Sequence, residues 1–228
     1  MELERIVVGP IATNCYILYH PTSRDCIVVD PGDSGAAIGE HMVKRGYHPK
    51  AILLTHGHFD HVEGVAALQE YANDHAKELE LEESDGESHT HRLPAYILKE
   101  EEKTLKDPSV NLSYGMGREA KDYSSIVDHY VRDGEELSIM GIQIKVIATP
   151  GHTPGGCCFY MPRENFLFSG DTLFCQSVGR TDFPGGSMSQ IVQSIRSKLL
   201  VLPDHTRVYP GHDSETTIGL EKEYNPYA

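Results

Sequence analysis

Three histidines and one aspartate fall within six consecutive positions, in the segment THGHFDH at residues 55–61. The segment directly follows residues 51–54, a short and continuously apolar run that is typical of a strand covered on both faces. Imidazole and carboxylate groups bind metal ions well when a rigid backbone carries them, and the end of a buried strand is rigid. This cluster therefore predicts a metal site at the edge of a sheet.

The same arrangement recurs further along the chain. Three later segments have the pattern of strands, and they end in turns that carry His152, Asp171 and His212. A Pro-Gly dipeptide precedes each of the two histidines and forces a tight turn, so that the side chain can point inward. Five histidines and two aspartates suit two metal ions better than one structural zinc, whose ligands are usually cysteines. These candidates are His56, His58, Asp60, His61, His152, Asp171 and His212.

The spacing within the first cluster divides it between two ions. His56 and His58 are two residues apart, so they face the same side of an extended segment and can bind one ion. Asp60 and His61 begin the next predicted helix and can point to a second ion. A carboxylate such as Asp171 can bridge two ions about 3.5–4 Å apart, and water between two such ions loses a proton near neutral pH. The predicted chemistry is hydrolysis, with Asp60 and Asp171 orienting a metal-bound hydroxide.

Composition narrows the classes of function. The 228 residues show no compositional break, which favours one domain, and a formal net charge of -14 argues against nucleic-acid and anionic-lipid partners. The sequence lacks an apolar run of about 18 residues and the features of a signal peptide. Its five cysteines include no Cys-x-x-Cys motif, and we expect them, Cys175 included, to fill packed positions in a reducing cytoplasm.

Together these features predict a cytoplasmic enzyme with a small-molecule substrate. The sequence leaves its oligomeric state open.

Two regions outside the cluster invite a structural prediction. Residues 73–92 are rich in glutamate and predict an exposed acidic insertion or an acidic extension of the preceding helix, in which His89 and His91 are not expected to bind metal. Residues 107–128 are polar and rich in turns, and they could cover a site as a lid in which Tyr114 donates a hydrogen bond to substrate.

Arg180 and Asp182 predict a buried ion pair that holds a loop, with substrate contact by Arg180 as the alternative. Asp30 stands in the turn Asp30-Pro31-Gly32 at the end of another predicted strand. Judged by its local sequence alone, an aspartate in such a position more often stabilises the turn than takes part in the chemistry of a site.

The ordered set of motifs resembles the metallo-β-lactamase superfamily over essentially the whole chain. This resemblance implies an α/β fold, the four-layer αββα sandwich, formed as a single domain by residues 1–228. It implies that Asp30 braces the metal loops from outside the ligand set. We expect two divalent ions, with zinc as the first choice and iron or manganese as alternatives. The implied ligands are His56, His58 and His152 for one ion, Asp60, His61 and His212 for the other, and Asp171 as the bridge.

The segments SGDTLF at residues 169–174 and SVGRTDF at residues 177–183 are similar to the glyoxalase II branch, whose members cleave the thioester of S-2-hydroxyacylglutathione. Larger enzymes of that branch carry a C-terminal helical domain that binds glutathione. The sixteen residues after His212 cannot form one, so the chain resembles the short bacterial glyoxalase II-like hydrolases. We expect a binuclear hydrolase that acts on this thioester or on one with a related thiol carrier.

Other functions stay open beside this one. A persulfide dioxygenase uses the same scaffold with one iron, held by two histidines and the bridging aspartate, and can leave Asp60, His61 and His212 unused. A hydrolase of another small ester, thioester or lactone fits the same ligands. A non-catalytic binding domain is disfavoured because no ligand is lost. β-Lactamase activity is disfavoured because those enzymes are exported, and nucleic-acid processing is disfavoured by the acidic charge.

Overall fold

The computed structural model describes residues 1–81, 92–115 and 119–228. The first of its two six-stranded sheets contains, in spatial order, β1 (Glu2–Val8), β2 (Thr13–Tyr19), β3 (Asp25–Val29), β4 (His48–Leu54), β5 (Ala95–Leu98) and β6 (His129–Val131). The other strands are β7 (Glu136–Ile139), β8 (Ile142–Ala148), β9 (Cys157–Met161), β10 (Phe166–Gly170), β11 (Leu173–Phe174), β12 (Ser177–Val178), β13 (Arg207–Pro210) and β14 (Thr216–Thr217). The second sheet has the order β14-β13-β10-β9-β8-β7, and β11 pairs with β12 in a separate ribbon.

Six short α-helices join or cover these strands. They are α1 (Gly35–Arg45), α2 (Phe59–Val62), α3 (Val65–Asp74), α4 (Glu102–Lys106), α5 (Met188–Ser194) and α6 (Ile218–Tyr224) among the described residues. The segment Lys99–Glu101 is a 3-10 turn that leads into α4, Ser124–Ile126 is a second one, and Ile195–Leu199 continues α5 with π-helical hydrogen bonds.

Three groups of buried apolar side chains hold four layers together. The middle group lies between the two sheets and includes Leu18 of β2 and Phe168 of β10. On the outer face of the first sheet, Met42 of α1 and Leu68 of α3 are completely buried. On the outer face of the second sheet, α5 contributes the buried Ile191. Each sheet is thus covered on both faces, and the αββα sandwich expected from the sequence is confirmed.

Strand direction explains why the candidate ligands meet. In the first sheet β3, β4, β5 and β6 are parallel, and in the second sheet β8, β10 and β13 run in one direction. The carboxyl ends of the strands from both sheets lie at the same edge, where backbone hydrogen bonds join them. Cys157 N donates to Thr55 O at 2.9 Å, and Asn14 N donates to Gly211 O at 2.7 Å. Loops after these strands therefore converge on one place.

The segment at residues 34–46 has the sequence pattern of a helix with Ser34 as its N-cap, and the structure differs in one detail. The helix begins at Gly35, but Ser34 has a left-handed backbone with φ of 56° and its side chain does not cap the helix. Its hydroxyl lies 3.0 Å from Asp33 Oδ1 instead, because this backbone turns the side chain away from the free N–H groups of the first turn.

The acidic segment at residues 73–92 is only partly described. Its first part completes α3 and then turns back, and Leu79 is completely buried against the first sheet, so this part is anchored rather than solvated. Residues 82–91, which include His89 and His91, lie outside the described residues.

The expectation that every cysteine fills a packed position is wrong for Cys175. Cys15, Cys26, Cys157 and Cys158 are buried, whereas Cys175 is exposed in the turn between β11 and β12. β11 and β12 pair with each other and with neither large sheet, and the side chain of Cys175 in their turn faces solvent. Within the described ranges, no helix has the length and apolar character needed to cross a membrane.

Candidate metal centre

Three imidazoles from two loops form the first group of candidate ligands. His56 and His58 lie in the loop after β4, and His152 lies in the loop after β8. His58 Nδ1 is 3.2 Å from His56 Nε2 and 2.9 Å from His152 Nε2. All three side chains are buried, with no more than 4% exposure. Their ligand atoms lie within 4.8 Å of one another, close enough to share one ion.

A second group lies beside the first. Asp60 and His61 belong to α2, which follows directly on the His56 loop, and His212 lies in the turn after β13. Asp60 Oδ2 is 3.3 Å from His61 Nε2 and 3.2 Å from His212 Nε2. The hydroxyl of Thr13 donates to the same oxygen at 2.9 Å, which fixes the orientation of the carboxylate. The ligand atoms of this group also lie within 4.8 Å of one another.

Asp171 lies between the two groups. Its Oδ2 is 3.4 Å from His152 Nε2 and 3.6 Å from His212 Nε2, while its Oδ1 is 3.4 Å from His61 Nε2. Among the described residues, His61 Nε2 and Asp171 Oδ1 are buried without a hydrogen-bond partner. Buried polar atoms are nearly always satisfied, and a divalent ion between these two atoms would satisfy both. The donor set therefore fits two metal ions with Asp171 between them.

Hydrogen bonds on the far side of the rings turn the Nε2 atoms of two histidines toward the centre. His152 Nδ1 lies 2.7 Å from the main-chain oxygen of Arg180. Because a carbonyl oxygen only accepts, Nδ1 carries the proton and the lone pair is on Nε2. His56 Nδ1 lies 3.1 Å from Thr55 Oγ1, whose own hydrogen is donated to Asp30 Oδ2 at 2.7 Å. His56 therefore also presents the lone pair of Nε2 to the centre.

Asp30 supports the loop after β4 and the start of α2 from outside the candidate ligand groups. It is 2% exposed and has a left-handed backbone with φ of 49° at the end of β3. Its Oδ1 accepts from Thr55 N at 2.8 Å, and its Oδ2 accepts from the Thr55 hydroxyl and from His61 Nδ1 at 3.0 Å. The carboxylate thus fixes Thr55 and the ring of His61, and it belongs to none of the candidate ligand groups.

The electrostatics of the centre favour bound cations. Burial, together with the neighbouring imidazoles, holds the pKa of His56 and His58 well below the usual value, so both are neutral and able to ligate. Burial also opposes protonation of His61, but the carboxylates of Asp60 and Asp171 outweigh it and raise the pKa of His61. Burial raises the pKa of Asp60, but His61 and the other imidazoles have the larger, opposite effect. The pKa of Asp60 is therefore well below its usual value, and the carboxylate is charged. The carboxylates of Asp60 and Asp171, which are 10% and 11% exposed, thus stabilise positive charge in the space between them and the imidazoles.

A cavity of about 550 Å³ opens over the two groups. His58, Asp60, His152, Asp171 and His212 form its floor. Six apolar side chains form much of its wall and keep the reacting groups partly shielded from water. They are Ile11, Phe59, Leu112, Phe174, Val178 and Phe183.

Arg180 lies at the rim of this cavity and differs from its prediction. It donates two hydrogen bonds to Asp182, at 2.8 and 2.7 Å, and its guanidinium lies 4.0 Å from the centre of the Phe183 ring. The ion pair is therefore present, but the two side chains are 61% and 66% exposed, so the prediction of a buried pair is wrong. The loop runs over the mouth of the cavity, where solvent reaches both groups.

The structure does not bring Tyr114 to the cavity. Its side chain is 70% exposed and is not part of the wall, which the same segment lines with Leu112 instead. Residues 116–118, in the same candidate lid, lie outside the described residues.

Sequence reasoning missed three side chains that support this site. Thr13 holds Asp60, as described above. Glu101 and Glu221 are completely buried behind the metal loops and behind the β11–β12 ribbon, respectively. Both glutamates stand among other charged residues in short helical segments, and that pattern is typical of a solvated surface, so the sequence carries no signal of their burial.

Comparison with known proteins agrees with this geometry. The family model described as "Metallo-beta-lactamase superfamily" matches residues 8–212. The chain is 35% identical to the probable metallo-hydrolase YqgX of Bacillus subtilis, covering 100% of this chain and 97% of the relative. It is 30% identical to the hydroxyacylglutathione hydrolase GloC of Haemophilus influenzae, covering 100% and 98%.

Two solved structures are similar over nearly the full length. The crystal structure of the BLEG-1 B3 metallo-beta-lactamase has a TM-score of 0.86 and 35% identity, covering 99% of both chains. The structure of TTHA1623 in a di-iron-bound form has a TM-score of 0.79 and 33% identity, covering 99% of this chain and 100% of that one. The match to the family model and the full-length relatives lead to one conclusion: this chain belongs to the metallo-β-lactamase superfamily and is a metal-dependent hydrolase.

Proposed function

We propose that the chain is a binuclear thioester hydrolase, and that it acts on S-2-hydroxyacylglutathione or on a thioester of a related thiol carrier. The proposal of two metal ions is supported by the position of Asp171. One of its oxygens lies near His152 and His212, and the other lies near His61. The thioester part is supported by the similarity to GloC over the whole chain and by the motif at residues 169–183.

Each group of side chains has a definite task in such a reaction. Two ions held by these residues would lower the pKa of a water molecule to near neutrality and polarise the thioester carbonyl. Asp60, fixed by the Thr13 hydroxyl, and Asp171 can accept hydrogen bonds from the attacking water and so orient it toward the substrate. No side chain is needed as a nucleophile.

The wall of the cavity selects and protects the substrate. Its apolar side chains exclude water and so strengthen the electrostatic interactions within the site. Arg180 is the cationic side chain of this wall among the described residues, and it is placed to contact a carboxylate of the thiol carrier.

A direct test combines metal analysis with a thioester assay. Protein purified without added metal is analysed for zinc, iron and manganese, and then mixed with S-D-lactoylglutathione while free thiol is measured. We expect two ions per chain and release of thiol. Bound metal without thiol release would reject the thioester substrate and leave the hydrolase assignment in place.

Two further substrates distinguish the alternatives. Glutathione persulfide with an oxygen electrode tests the mononuclear dioxygenase, since a hydrolase takes up no oxygen. A chromogenic cephalosporin tests β-lactam hydrolysis, which the similarity to the BLEG-1 structure makes the second candidate. We expect neither substrate to be turned over at the rate of the thioester.

A further inference from the structure

A completely buried carboxylate, that of Glu101, lies directly behind the first ligand group. Glu101 ends the 3-10 turn after β5, and its side chain has no exposure to solvent. Burial raises the pKa of this carboxyl group, as expected for an acid held away from water. Burying a carboxyl group destabilises the fold unless hydrogen bonds satisfy its oxygens. The groups that donate these hydrogen bonds therefore indicate the role of Glu101.

Each oxygen of Glu101 binds a different metal loop. Oε2 accepts a hydrogen bond from Gly57 N at 2.7 Å, and Gly57 stands between His56 and His58. Oε1 accepts from Gly155 N at 2.7 Å, and Gly155 lies three residues after His152. One carboxylate therefore joins the two loops that together supply the first group of imidazoles.

Both loops have a glycine where they meet the Glu101 turn. A Cβ atom on Gly57 would lie 3.0 Å from Glu101 Oε2, and a Cβ atom on Gly155 would lie 2.6 Å from Glu101 N. Contacts this short leave no room for a side chain at Gly155 and very little at Gly57. The glycines at positions 57 and 155 thus allow both loops to approach the Glu101 turn closely.

We propose that Glu101 is a positioning residue for the metal centre: its two hydrogen bonds set the distance between the His56–His58 loop and the His152 loop. His58 Nδ1 and His152 Nε2 come from these two loops and are only 2.9 Å apart. Metal ligands must be held to within about 0.5 Å of their productive geometry, so a small shift of one loop would spoil the group. The proposal depends on the ligand assignment above and is independent of which thioester is cleaved.

The test replaces the carboxylate with its amide. In Glu101→Gln the shape is kept, but an NH₂ group then faces one of the two backbone N–H donors, and that loop loses its acceptor. We expect the metal-free variant to fold, with a lowered melting temperature. In competition with a zinc-binding dye, we expect the affinity for one of the two Zn²⁺ ions to fall about 10- to 100-fold while the other ion binds as in the wild type. The visible spectrum of the Co²⁺-loaded variant should change accordingly.

Glu102→Gln is the matched control. Glu102 is the next residue, is 31% exposed, and pairs with Lys99 and Lys106, so the same change in charge leaves both metal loops untouched. We expect this variant to bind Zn²⁺ and Co²⁺ as the wild type does. If the wild type and this control bound no metal, the proposed function itself would fail, and that result is distinct from a failure at Glu101.

Three results would overturn the proposal. One is a Glu101→Gln protein with a lowered melting temperature but unchanged Zn²⁺ affinity and an unchanged Co²⁺ spectrum, since the carboxylate would then serve folding only. If that variant does not fold, Glu101→Asp provides the second test, because it keeps the charge but is one methylene too short to reach both loops. We expect it to fold with weakened Zn²⁺ binding; normal binding, or loss of the fold in both variants, would also contradict the proposal.

Discussion

His61 donates a hydrogen bond from Nδ1 to Asp30 Oδ2 across 3.0 Å, and neither side chain is more than 3% exposed. The same carboxylate accepts two hydrogen bonds from Thr55. Asp30→Ala would leave three donors unsatisfied in a dry environment, so we expect the free energy of unfolding of the metal-free protein to fall by at least about 1–3 kcal/mol. Urea denaturation measures the change. Glu40→Ala, which removes an exposed partner of Lys44 on α1, should leave the midpoint unchanged; equal midpoints for the two variants would contradict the bracing role.

Removal of one ligand from each group should give complementary losses of metal. His152→Ala affects the first group and His212→Ala affects the second, so we expect each variant to retain about one ion where the wild type holds two. Elemental analysis after dialysis measures the ratio. His205→Ala is the control, because His205 is an exposed histidine that lies 2.8 Å from Asn165 Oδ1. A wild-type content of one iron would favour the dioxygenase instead.

The main chain and the side chain of Arg180 should have separable effects. Its carbonyl oxygen orients His152, and this contact survives any change of the side chain. We therefore expect Arg180→Ala to keep its full metal content but to raise KM for an anionic thioester about tenfold, with kcat nearly unchanged, through loss of one charge-assisted contact. Steady-state kinetics measure both constants. An unchanged KM would mean that the side chain only holds its own loop.

The ion pair of Arg180 with Asp182 should make a small, pH-dependent contribution to the stability of the fold. Hydrogen bonds from Arg180 hold the pKa of Asp182 at about 2, against an ordinary value of 3.8. Because the folded-state pKa is depressed, the pair stabilises the fold above about pH 3.8 and loses this contribution as the pH falls through about 2. The contribution is small, since both groups are exposed. Carboxyl-carbon NMR should show the Asp182 midpoint moving back toward 3.8 in Arg180→Ala; a midpoint unmoved by the substitution would contradict this.

Glu221 should control the wall of the cavity without affecting the metals. Its Oε2 accepts from Gln176 N at 2.9 Å, and its Oε1 accepts from the Thr216 hydroxyl at 2.6 Å. Gln176 forms the turn between β11 and β12, which contribute Phe174, among others, to the cavity wall. We expect Glu221→Ala to lower the free energy of unfolding by about 1–3 kcal/mol and to raise KM, with a normal metal content.

Hydrogen exchange locates the effect of this change. The amide of Gln176 should exchange faster in Glu221→Ala than in the wild type, because its acceptor is gone. Glu223→Ala changes an exposed glutamate on the same helix and should alter neither the exchange nor KM. A ribbon that stays protected in Glu221→Ala would show that β11 and β12 hold their position unaided.

Local sequence was sufficient to place the candidate ligands on strand ends and to divide the first cluster between two ions, but not to assign His152 and His212 to either ion. The apolar run before His56 and the Pro-Gly turns before His152 and His212 are local signals, and the structure has strands at these places. The contact of His58 with His152 joins residues 94 positions apart, and only the family resemblance implied it. Pairing across such a distance depends on how the two sheets pack.

Burial was the property that the sequence predicted least well. Arg180 and Asp182 do pair, but their spacing does not tell whether the loop lies inside or at the surface. Glu101 presented the opposite problem, because its neighbours Glu100 and Glu102 made the segment resemble a solvated helix. A single fully buried acid among exposed ones becomes visible only when the loops that it contacts are in place.

The two sheets follow one another along the chain, and this order has a consequence for maturation. All described strands of the first sheet end by Val131, and those of the second begin at Glu136. Each proposed ligand group takes members from both halves, so a nascent chain that has emerged only as far as the first sheet can complete neither group. If the ions bind as proposed, a complete group forms only after His152 and His212 have been synthesised and docked. In this fold, tight binding of the ions would therefore require that both halves of the chain have folded and packed against each other.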